Sequence, residues 1–265
     1  MTDGLREILG DMGPLAIAVS GGVDSMTLAV LAHRTLGCEK VMVMHAASAA
    51  VPREATERVR HWARTEGWDL NVIDAGELAD ERYRNNPLDR CFFCKGNLYG
   101  TIAALTDRQV LSGANTDDLG EYRPGLDAAR EYGVRHPYLE AGIGKSGVRG
   151  LARELGLGDL SDLPASPCLS SRVETLIRIE PEMLSAIHAV ELLVLDRLSP
   201  RTVRCRVRKT GVVIELDAAS LDAASPATRA NLTASITGLL PAALADKGIS
   251  FAPYRNGSAF VGVKP

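Results

Sequence analysis

The sequence lacks an excess of charge of either sign. In 265 residues, 30 Lys and Arg side chains are balanced by 33 Asp and Glu, which gives a formal net charge of -3. A chain without a net basic field has no general attraction for a polyanion. We therefore expect no nucleic-acid partner.

Long apolar runs are also lacking. No apolar stretch approaches the roughly 18 residues that a membrane-spanning helix needs, and Met1–Glu7 lacks the charged-then-apolar pattern of an export signal. These absences predict a cytoplasmic protein that does not cross a membrane. The five cysteines are an odd number in such a chain, which favours metal-binding or catalytic thiols over a disulfide framework.

The composition is that of a packed globular protein, with 46% hydrophobic and 24% charged residues. The length allows a domain of about 170 residues plus a smaller one. Up to Leu111, short apolar runs alternate with helical patterns, which is typical of a parallel sheet covered by helices on both faces. We predict this α/β domain over residues 1–160.

The pattern changes after the Pro-containing stretch 158–167, which resembles an inter-domain linker. A helical pattern at 181–195 is followed by two β-rich runs that predict a hairpin. A helix near 226–244 and one or two strands within 249–263 come next. We predict a linker and a small α+β domain over residues 161–265.

The first apolar run ends in a glycine turn that opens into a helical pattern. Ser20, Gly21 and Gly22 follow the run, and Asp24 and Ser25 begin the helix. Glycines let a ligand approach the main chain, and the N–H groups at a helix N-terminus favour phosphate. The lysine of a Walker-type loop is missing, so the pattern predicts another kind of phosphate loop. A turn that only joins strand to helix is the alternative.

Two later strands end in small or acidic residues. Ala46 and Ser48 follow the second predicted strand, and small side chains at a strand tip leave room for a flat base. Gly113 and Asp118 follow the strand at 109–111. Ligands of parallel sheets bind at the carboxyl ends of strands, so Asp118 is a candidate for contacting magnesium or a ribose. An acidic turn that caps the next segment is the alternative.

Three cysteines lie in settings that suit chemistry. Cys91 and Cys94 form a C-x-x-C pair before a helix, a spacing that serves zinc, an iron–sulfur cluster or a redox pair. Cys168 lies in an extended, hydroxyl-rich stretch that also holds Arg172. The arginine charge favours a thiolate or a phosphate at this position.

The other two cysteines, Cys38 and Cys205, are expected in the core because their settings are apolar. Arg204 and Arg206 flank Cys205 on a predicted strand, so their side chains share the opposite face. Two guanidinium groups on one face suit the phosphate of a nucleotide substrate. A solvated basic strand edge would give the same pattern.

Five separated motifs resemble those of the LarE family of sulfur transferases. The first, the SGGxDS-type loop, also resembles that of the wider ATP pyrophosphatase family. The motifs are SGGVDS at 20–25, RCFFCK at 90–95, KSGVRGLARELGL at 145–157, PASPCLSSR at 164–172 and VRCRV at 203–207.

The resemblance implies an adenine nucleotide α-hydrolase-like fold that cleaves ATP to AMP and pyrophosphate. Asp24 would lie beside Mg2+, and the adenine would lie near Ala46 and Ser48. The family adenylates the carboxylates of pyridinium-3,5-biscarboxylic acid mononucleotide and converts them to thiocarboxylates, towards the nickel-pincer nucleotide cofactor. A small-molecule nucleotide substrate and a ring-like homo-oligomer follow from the same resemblance.

The family has two sulfur sources. Some members give up the cysteine at the position of Cys168, which is left as dehydroalanine, and others bind a 4Fe–4S cluster through three cysteines. Cys91, Cys94 and Cys168 match the second group, so the resemblance implies a cluster with one iron open to a hydrosulfide. The sacrificial route and a zinc site are the alternatives.

The sequence departs from the family near its C-terminus, where Phe251, Ala252 and Pro253 replace acidic residues. Three other functions therefore stay open. A tRNA thiolase would share the adenylation and the cysteine trio, but it would need a basic surface. An ammonia-using amide-forming synthetase leaves the cysteines unexplained, and a nucleotide-binding regulator would release no pyrophosphate.

Overall fold

The fold alternates strands and helices in its first part and changes to a mixed arrangement later. The computed structural model describes residues 2–120 and 123–260. The strands are β1 (Leu15–Ala18), β2 (Val41–Ala46), β3 (Asp69–Ile73), β4 (Gln109–Leu111), β5 (Val203–Arg208), β6 (Gly211–Leu216) and β7 (Ile249–Pro253).

Helices connect these strands and cover the sheets. No helix among the described residues is long and apolar enough to cross a membrane. Short 3-10 helices lie at Glu77–Ala79, Thr116–Gly120 and Leu169–Arg172. The α-helices are α1 (Thr2–Gly10), α2 (Val23–Leu36), α3 (Arg53–Glu66), α4 (Glu81–Arg84), α5 (Arg90–Leu105), α6 (Pro124–Glu131), α7 (Pro137–Glu140), α8 (Lys145–Glu154), α9 (Gly158–Ser161), α10 (Pro181–Leu198), α11 (Ala218–Ala223), α12 (Pro226–Thr237) and α13 (Ala242–Ala245).

Two compact units divide the chain. Unit 1 holds the described residues up to Glu77 together with Asp89–Ser166, and unit 2 holds Leu78–Leu88 and the described residues from Pro167 onward. The chain therefore enters unit 2, returns to unit 1 and then enters unit 2 again. The prediction had a single boundary at residue 160. In the structure, residues 78–88 belong to unit 2, and unit 1 ends at Ser166 instead.

The sheet of unit 1 is parallel, with strand order β3-β2-β1-β4. Leu15 and Ile17 of β1 face a core built with α1, α2 and α8, whereas Ala16 and Ala18 face a second core built with α5 and α6. The prediction of a parallel sheet covered on both faces is thus confirmed. Because the strands are parallel, their carboxyl ends lie along one edge of the sheet.

Unit 1 extends past the predicted boundary because the start of the supposed linker is apolar. Leu157 and Leu160 are buried in its core. The Arg149 guanidinium donates to the backbone carbonyls of Ser161 and Leu163, the latter at 2.6 Å. The stretch predicted as a linker therefore begins with helix α9.

The sheet of unit 2 is mixed, with strand order β5-β6-β7. β5 and β6 form the predicted antiparallel hairpin, and β7 joins β6 in parallel. The last predicted strand region is occupied by β7, whereas residues 261–263 of that prediction lie outside the described residues. The helix predicted near 226–244 is two helices, since α12 ends at Thr237 and Pro241 precedes α13.

Asn86 ties the excursion at 78–88 to the rest of unit 2. Its side chain is fully buried. Its Nδ2 donates to the carbonyls of Glu174 and Ile177, each at 2.9 Å, and lies 3.4 Å from the carbonyl of Val173. Its φ of +54° lies in the left-handed region, which Asn adopts more readily than most residues. One side chain therefore supplies several carbonyls of a later segment with a donor.

We predict that Asn86→Ala lowers the free energy of unfolding by about 2 to 4 kcal/mol, because buried carbonyls lose their donor. Urea denaturation measures this change. The control is Asn231→Ala, at an exposed position of α12, which should shift stability by less than about 0.5 kcal/mol. An Asn86→Ala protein as stable as the parent would contradict the role given to Asn86.

His45 is a buried polar group near the end of β2. Its Nδ1 lies 2.9 Å from the carbonyl oxygen of Val19, and its Nε2 lies 2.9 Å from Oγ1 of Thr56. Because a carbonyl only accepts, Nδ1 carries the proton of the neutral ring and Nε2 accepts from Thr56. Burial lowers the pKa of His45 below its ordinary value.

We predict that His45 makes folding less favourable as the pH falls below about 6.5, the ordinary imidazole pKa, because the unfolded chain then binds a proton that the folded chain does not. The loss is at most about 1.4 kcal/mol per pH unit for one proton. Above about pH 6.5 the imidazole is neutral in both states and the effect vanishes. Unfolding free energies between pH 5 and 8, for the parent and His45→Gln, should show a shallower slope in the variant. Equal slopes would refute the assignment.

Candidate active site

The predicted phosphate loop joins β1 to α2. The helix begins at Val23, so Asp24 and Ser25 lie in its first turn. Gly21 has a φ of +80°, and a Cβ there would lie 2.7 Å from the carbonyl oxygen of Ala55 in α3. Glycine is therefore required at position 21 both by the backbone angle and by the close approach of α3. The loop ends at a helix N-terminus, whose N–H groups favour an anion.

Hydroxyl groups hold the two ends of this loop together. Ser25 Oγ accepts a hydrogen bond from the Ser20 backbone N–H at 3.0 Å, and the two hydroxyl oxygens are 3.2 Å apart. Arg58 of α3 donates to the Gly21 carbonyl at 2.8 Å. Burial lowers the pKa of Arg58, but a guanidinium stays charged at neutral pH. The loop thus has a defined shape with a cation beside it.

Asp24 is contacted from three other segments of unit 1. Its carboxylate forms an ion pair with Lys145 at the start of α8, and its Oδ1 lies 3.4 Å from Nδ2 of Asn115. Its backbone carbonyl accepts from the hydroxyl of Tyr138 at 3.1 Å. Burial raises the pKa of Tyr138 well above its ordinary value, so this phenol stays a donor. The Asp24 side chain is 26% exposed and can still meet a ligand.

Gly113 and Asp118 follow β4, as predicted, and both have protein contacts. A Cβ on Gly113 would lie 2.7 Å from the backbone nitrogen of Ser25, so the tip of β4 lies directly against the first turn of α2. Asp118 accepts from the backbone N–H of Asn115 at 3.0 Å and forms an ion pair with Arg123 at 2.9 Å. These contacts match the acidic turn that was the alternative for Asp118. Its predicted contact with nucleotide or magnesium stays a prediction.

Ala46 and Ser48 lie at the same edge of the sheet as the loop, because β2 is the parallel neighbour of β1. Ala46 ends β2 and is half-buried. The Ser48 hydroxyl donates to the carboxylate of Glu77 and accepts from the backbone N–H of Ala50 at 3.2 Å. The structure therefore brings the predicted base-binding positions to the loop's edge of the sheet.

The C-x-x-C pair lies inside a helix rather than before one. Helix α5 begins at Arg90, so Cys91 and Cys94 occupy its first turns and share a face. Both are half-buried, as is Cys168. The pair belongs to unit 1 and Cys168 to unit 2. Within either unit, the described residues include no group of three or more His, Cys, Asp or Glu side chains placed to hold a metal ion.

The two cysteines expected in the core have different settings. Cys205 is fully buried, as predicted, and burial raises the pKa of its thiol. It is therefore unreactive at neutral pH. Cys38 is exposed, so that prediction is wrong. Helix α2 ends at Leu36, and Gly37 after it has a φ of +83° that turns the chain just before Cys38.

Cys168 precedes a 3-10 helix whose last residue, Arg172, is 3% exposed. The Arg172 guanidinium donates to the carbonyls of Pro167 at 2.6 Å and of Cys168 at 3.1 Å. Two further hydrogen bonds of 2.9 Å join it to the carboxylate of Glu191. Arg172 thus fixes the backbone that carries the Cys168 thiol. Its predicted contact with a substrate phosphate stays a prediction.

The two arginines of β5 also differ. Arg206 is buried and pairs with Glu215 at 2.9 Å. Arg204 is half-buried, and its guanidinium carbon lies 5.8 Å from the centre of the Tyr254 ring. Burial and the charge of Arg172 lower the pKa of Arg204. Of the two, Arg204 is the more open to a phosphate.

Several polar residues around the phosphate loop and the Cys168 segment were not predicted from the sequence, among them Glu77, Asn115, Glu191 and Glu215. Glu191 and Glu215 had a signal in the sequence, because each is a single charge within an apolar stretch of a helix or strand. Such a charge is seldom buried without a partner, and Arg172 and Arg206 are those partners. Glu77 and Asn115 gave no such signal, because their contacts join segments distant in the chain.

Comparison with known proteins finds relatives over most of the chain, although no family model matches it. An uncharacterised protein of Synechocystis sp. is 37% identical over 218 residues, which are 81% of this chain and 80% of that protein. The pyridinium-3,5-bisthiocarboxylic acid mononucleotide synthase of Lactiplantibacillus plantarum is 30% identical over 217 residues, 80% of this chain and 78% of that protein.

A more distant relative is a subunit of the glutamine-hydrolysing GMP synthase of Saccharolobus solfataricus. It is 28% identical over 216 residues, which are 74% of this chain and 58% of that protein. These likenesses agree with the loop at the start of α2 and with the parallel sheet around it. The chain belongs to the LarE family, that of the pyridinium-3,5-bisthiocarboxylic acid mononucleotide synthase, within the PP-loop ATP pyrophosphatase superfamily.

Proposed function

We propose that this chain is an ATP-dependent sulfur transferase. It adenylates the carboxylates of pyridinium-3,5-biscarboxylic acid mononucleotide and converts them to thiocarboxylates, releasing AMP and pyrophosphate, on the route to the nickel-pincer nucleotide cofactor. The observation that carries the proposal is Asp24 in the first turn of α2, paired with Lys145 directly after a phosphate loop, in a member of this family.

The loop receives the phosphates of ATP. Backbone N–H groups at the start of α2 and the hydroxyls of Ser20 and Ser25 supply donors, and the helix N-terminus favours negative charge. Lys145 and Arg58 add positive charge on two sides of the loop. This charge stabilises pyrophosphate as the leaving group.

Asp24 fits a magnesium ion. Mg2+ binds through one or two carboxylates together with substrate phosphates, and the Asp24 carboxylate is partly exposed at the phosphate loop. When bound, Mg2+ neutralises the charge of the phosphates. Lys145 holds the carboxylate in place beside the loop.

The chemistry follows from this placement. An oxygen of the substrate carboxylate attacks the α-phosphorus of ATP, the bond from that phosphorus to the bridging oxygen breaks, and pyrophosphate leaves. The acyl-adenylate is then attacked at its carbonyl carbon by a sulfur nucleophile, and AMP leaves with the oxygen that had joined it to the acyl group. The protein binds and orients the reactants.

The cysteine trio fits a 4Fe–4S cluster in its chemistry. Thiolates are the usual ligands of such clusters, and Cys91, Cys94 and Cys168 are each half-buried, whereas Cys205 is inaccessible. We propose that these three hold the cluster, which when bound supplies the sulfur. The other route within the family, donation of sulfur by Cys168 itself, is the second candidate, because Arg172 fixes the backbone of that one residue.

The substrate phosphate is proposed to contact Arg204, with Arg206 and Arg172 as the further predicted contacts. The Arg204 guanidinium lies beside Tyr254, and a guanidinium suits bidentate binding of phosphate. The substrate is then a small-molecule nucleotide rather than a nucleic acid. A cytoplasmic location and a ring-like homo-oligomer complete the proposal.

We predict that Asp24→Asn lowers the rate of pyrophosphate release at least about a hundredfold, because a metal-binding charge is lost at the phosphates. A coupled pyrophosphate assay with ATP, Mg2+ and substrate measures the rate. Asp127→Asn, which removes an exposed carboxylate paired with Arg130 on α6, should keep the parent rate. An Asp24→Asn protein that works at the parent rate would show that the loop is not the ATP site.

We predict that anaerobic reconstitution gives about four iron and four sulfide per chain. Cys91→Ala, Cys94→Ala and Cys168→Ala should each lose most of the iron, whereas Cys38→Ala, at an exposed position, should keep it. Iron and sulfide analysis with Mössbauer spectra makes the measurement. A parent without iron, whose Cys168 is recovered as dehydroalanine after one turnover, would overturn the cluster and establish the sacrificial route.

A further inference from the structure

Glu77 is a buried carboxylate that the proposed chemistry does not use. It is 5% exposed and begins the 3-10 helix after β3. One of its oxygens accepts from the Ser48 hydroxyl. Its Oε2 is buried and has no hydrogen-bond partner among the described residues. A buried acceptor without a donor is costly, so such a group in a folded protein needs an explanation.

The contact with Glu77 fixes the orientation of Ser48. The Ser48 hydroxyl donates its proton to Glu77, and a lone pair of Oγ accepts from the backbone N–H of Ala50 at 3.2 Å. The Ser48 carbonyl accepts from the N–H of Val51 at 3.0 Å. The Ser48 hydroxyl therefore joins two backbone hydrogen bonds in holding the turn at 47–51, and that hydroxyl is itself held by Glu77.

This turn lies beside the phosphate loop. The N–H of Ala47 donates to the carbonyl of Ile73 at 3.0 Å, which continues the pairing of β2 with β3 past the end of β2. On the other side, the N–H of Val19 donates to the carbonyl of Met44 at 2.8 Å, one residue before Ser20. A nucleotide anchored by its phosphates at the loop therefore has the turn within reach of its nucleoside.

We propose that Glu77 is a positioning residue that, through Ser48, sets the turn at 47–51 as the surface that selects the nucleobase. This inference rests on the proposed function, in that ATP is the ligand. The backbone N–H and carbonyl groups of a fixed turn can match the edge of adenine and mismatch that of guanine. Loss of the hydrogen bond between Ser48 and Glu77 lets the backbone groups of the turn move, so the preference for adenine over guanine falls.

The test is equilibrium binding of ATP and GTP by calorimetry with Mg2+ present. Glu77→Ala and Ser48→Ala should each weaken ATP binding about tenfold, the effect of losing one well-placed hydrogen-bonded contact. GTP binding should change less than about threefold, so the ratio of the two affinities falls. The double variant should bind ATP with the same affinity as whichever single variant binds ATP less tightly, because both changes remove the same contact.

Two controls separate positioning from a general loss of structure. Glu77→Gln keeps an oxygen that accepts from Ser48 and should restore most of the selectivity, whereas Glu57→Gln, at an exposed pair with Arg53, should leave both affinities unchanged. Should Glu77→Ala fail to fold, Ser48→Ala at a half-buried position carries the same test.

Parent-like selectivity in the Ala variants, or equal losses for ATP and GTP, would overturn the inference. If the parent binds ATP and releases pyrophosphate but these variants keep their selectivity, the role of Glu77 is refuted and the proposed function is not. A parent that binds neither nucleotide refutes the proposed function, and the inference with it.

Discussion

The first turn of α2 is crowded by main chain on two sides, and the site depends on this crowding. Gly21 leaves room for the carbonyl of Ala55, and Gly113 leaves room for the backbone of Ser25. Helix α3 and the tip of β4 can therefore pack directly against the phosphate loop and the helix that follows it. A side chain at either glycine would force backbone apart, because its Cβ would approach main-chain atoms to 2.7 Å, closer than carbon contacts allow.

That packing also gives Asp24 its partners. The segment after β4 carries Asn115, which reaches the carboxylate because the tip of β4 lies against α2. Helix α8 begins at Lys145, which pairs with the same carboxylate. Tyr138 fixes the backbone of the same residue. The site is thus shaped by the fold, which lowers the entropic cost of binding a triphosphate.

In unit 2, buried ion pairs rather than close main-chain packing hold neighbouring segments together. The pairs Arg172–Glu191 and Arg206–Glu215 are both almost fully buried. A buried pair adds little net stability, since desolvation offsets most of the attraction. Burial alone would raise the pKa of Glu215, but hydrogen bonds from Ser258 and Arg206 and the charges of Arg206 and Arg208 lower it below the ordinary value. Arg172 and Arg206 also donate to the backbone of the Cys168 segment, so we assign them to holding that segment.

The local parts of the fold could be predicted from the sequence. The short apolar run at 15–18 and the glycine turn after it are local signals, and the structure confirms the strand, the loop and the helix. Contacts between distant residues could not be predicted. The excursion at 78–88 depends on Asn86 meeting residues near position 175, and the pair of Ser48 with Glu77 joins the ends of two strands. Neither leaves a periodic pattern. Helix α5 begins at Arg90 and includes the C-x-x-C pair that was predicted to precede it.

The proposed reaction depends on direct attack of the substrate carboxylate on the α-phosphorus of ATP. Substrate labelled with 18O in its carboxylates, incubated with ATP, Mg2+ and the sulfur-loaded protein, tests this most directly by mass spectrometry of the products. We expect that each AMP formed carries one 18O atom and that pyrophosphate carries none. Unlabelled AMP, or release of ADP and phosphate in step with thiocarboxylate formation, would contradict it.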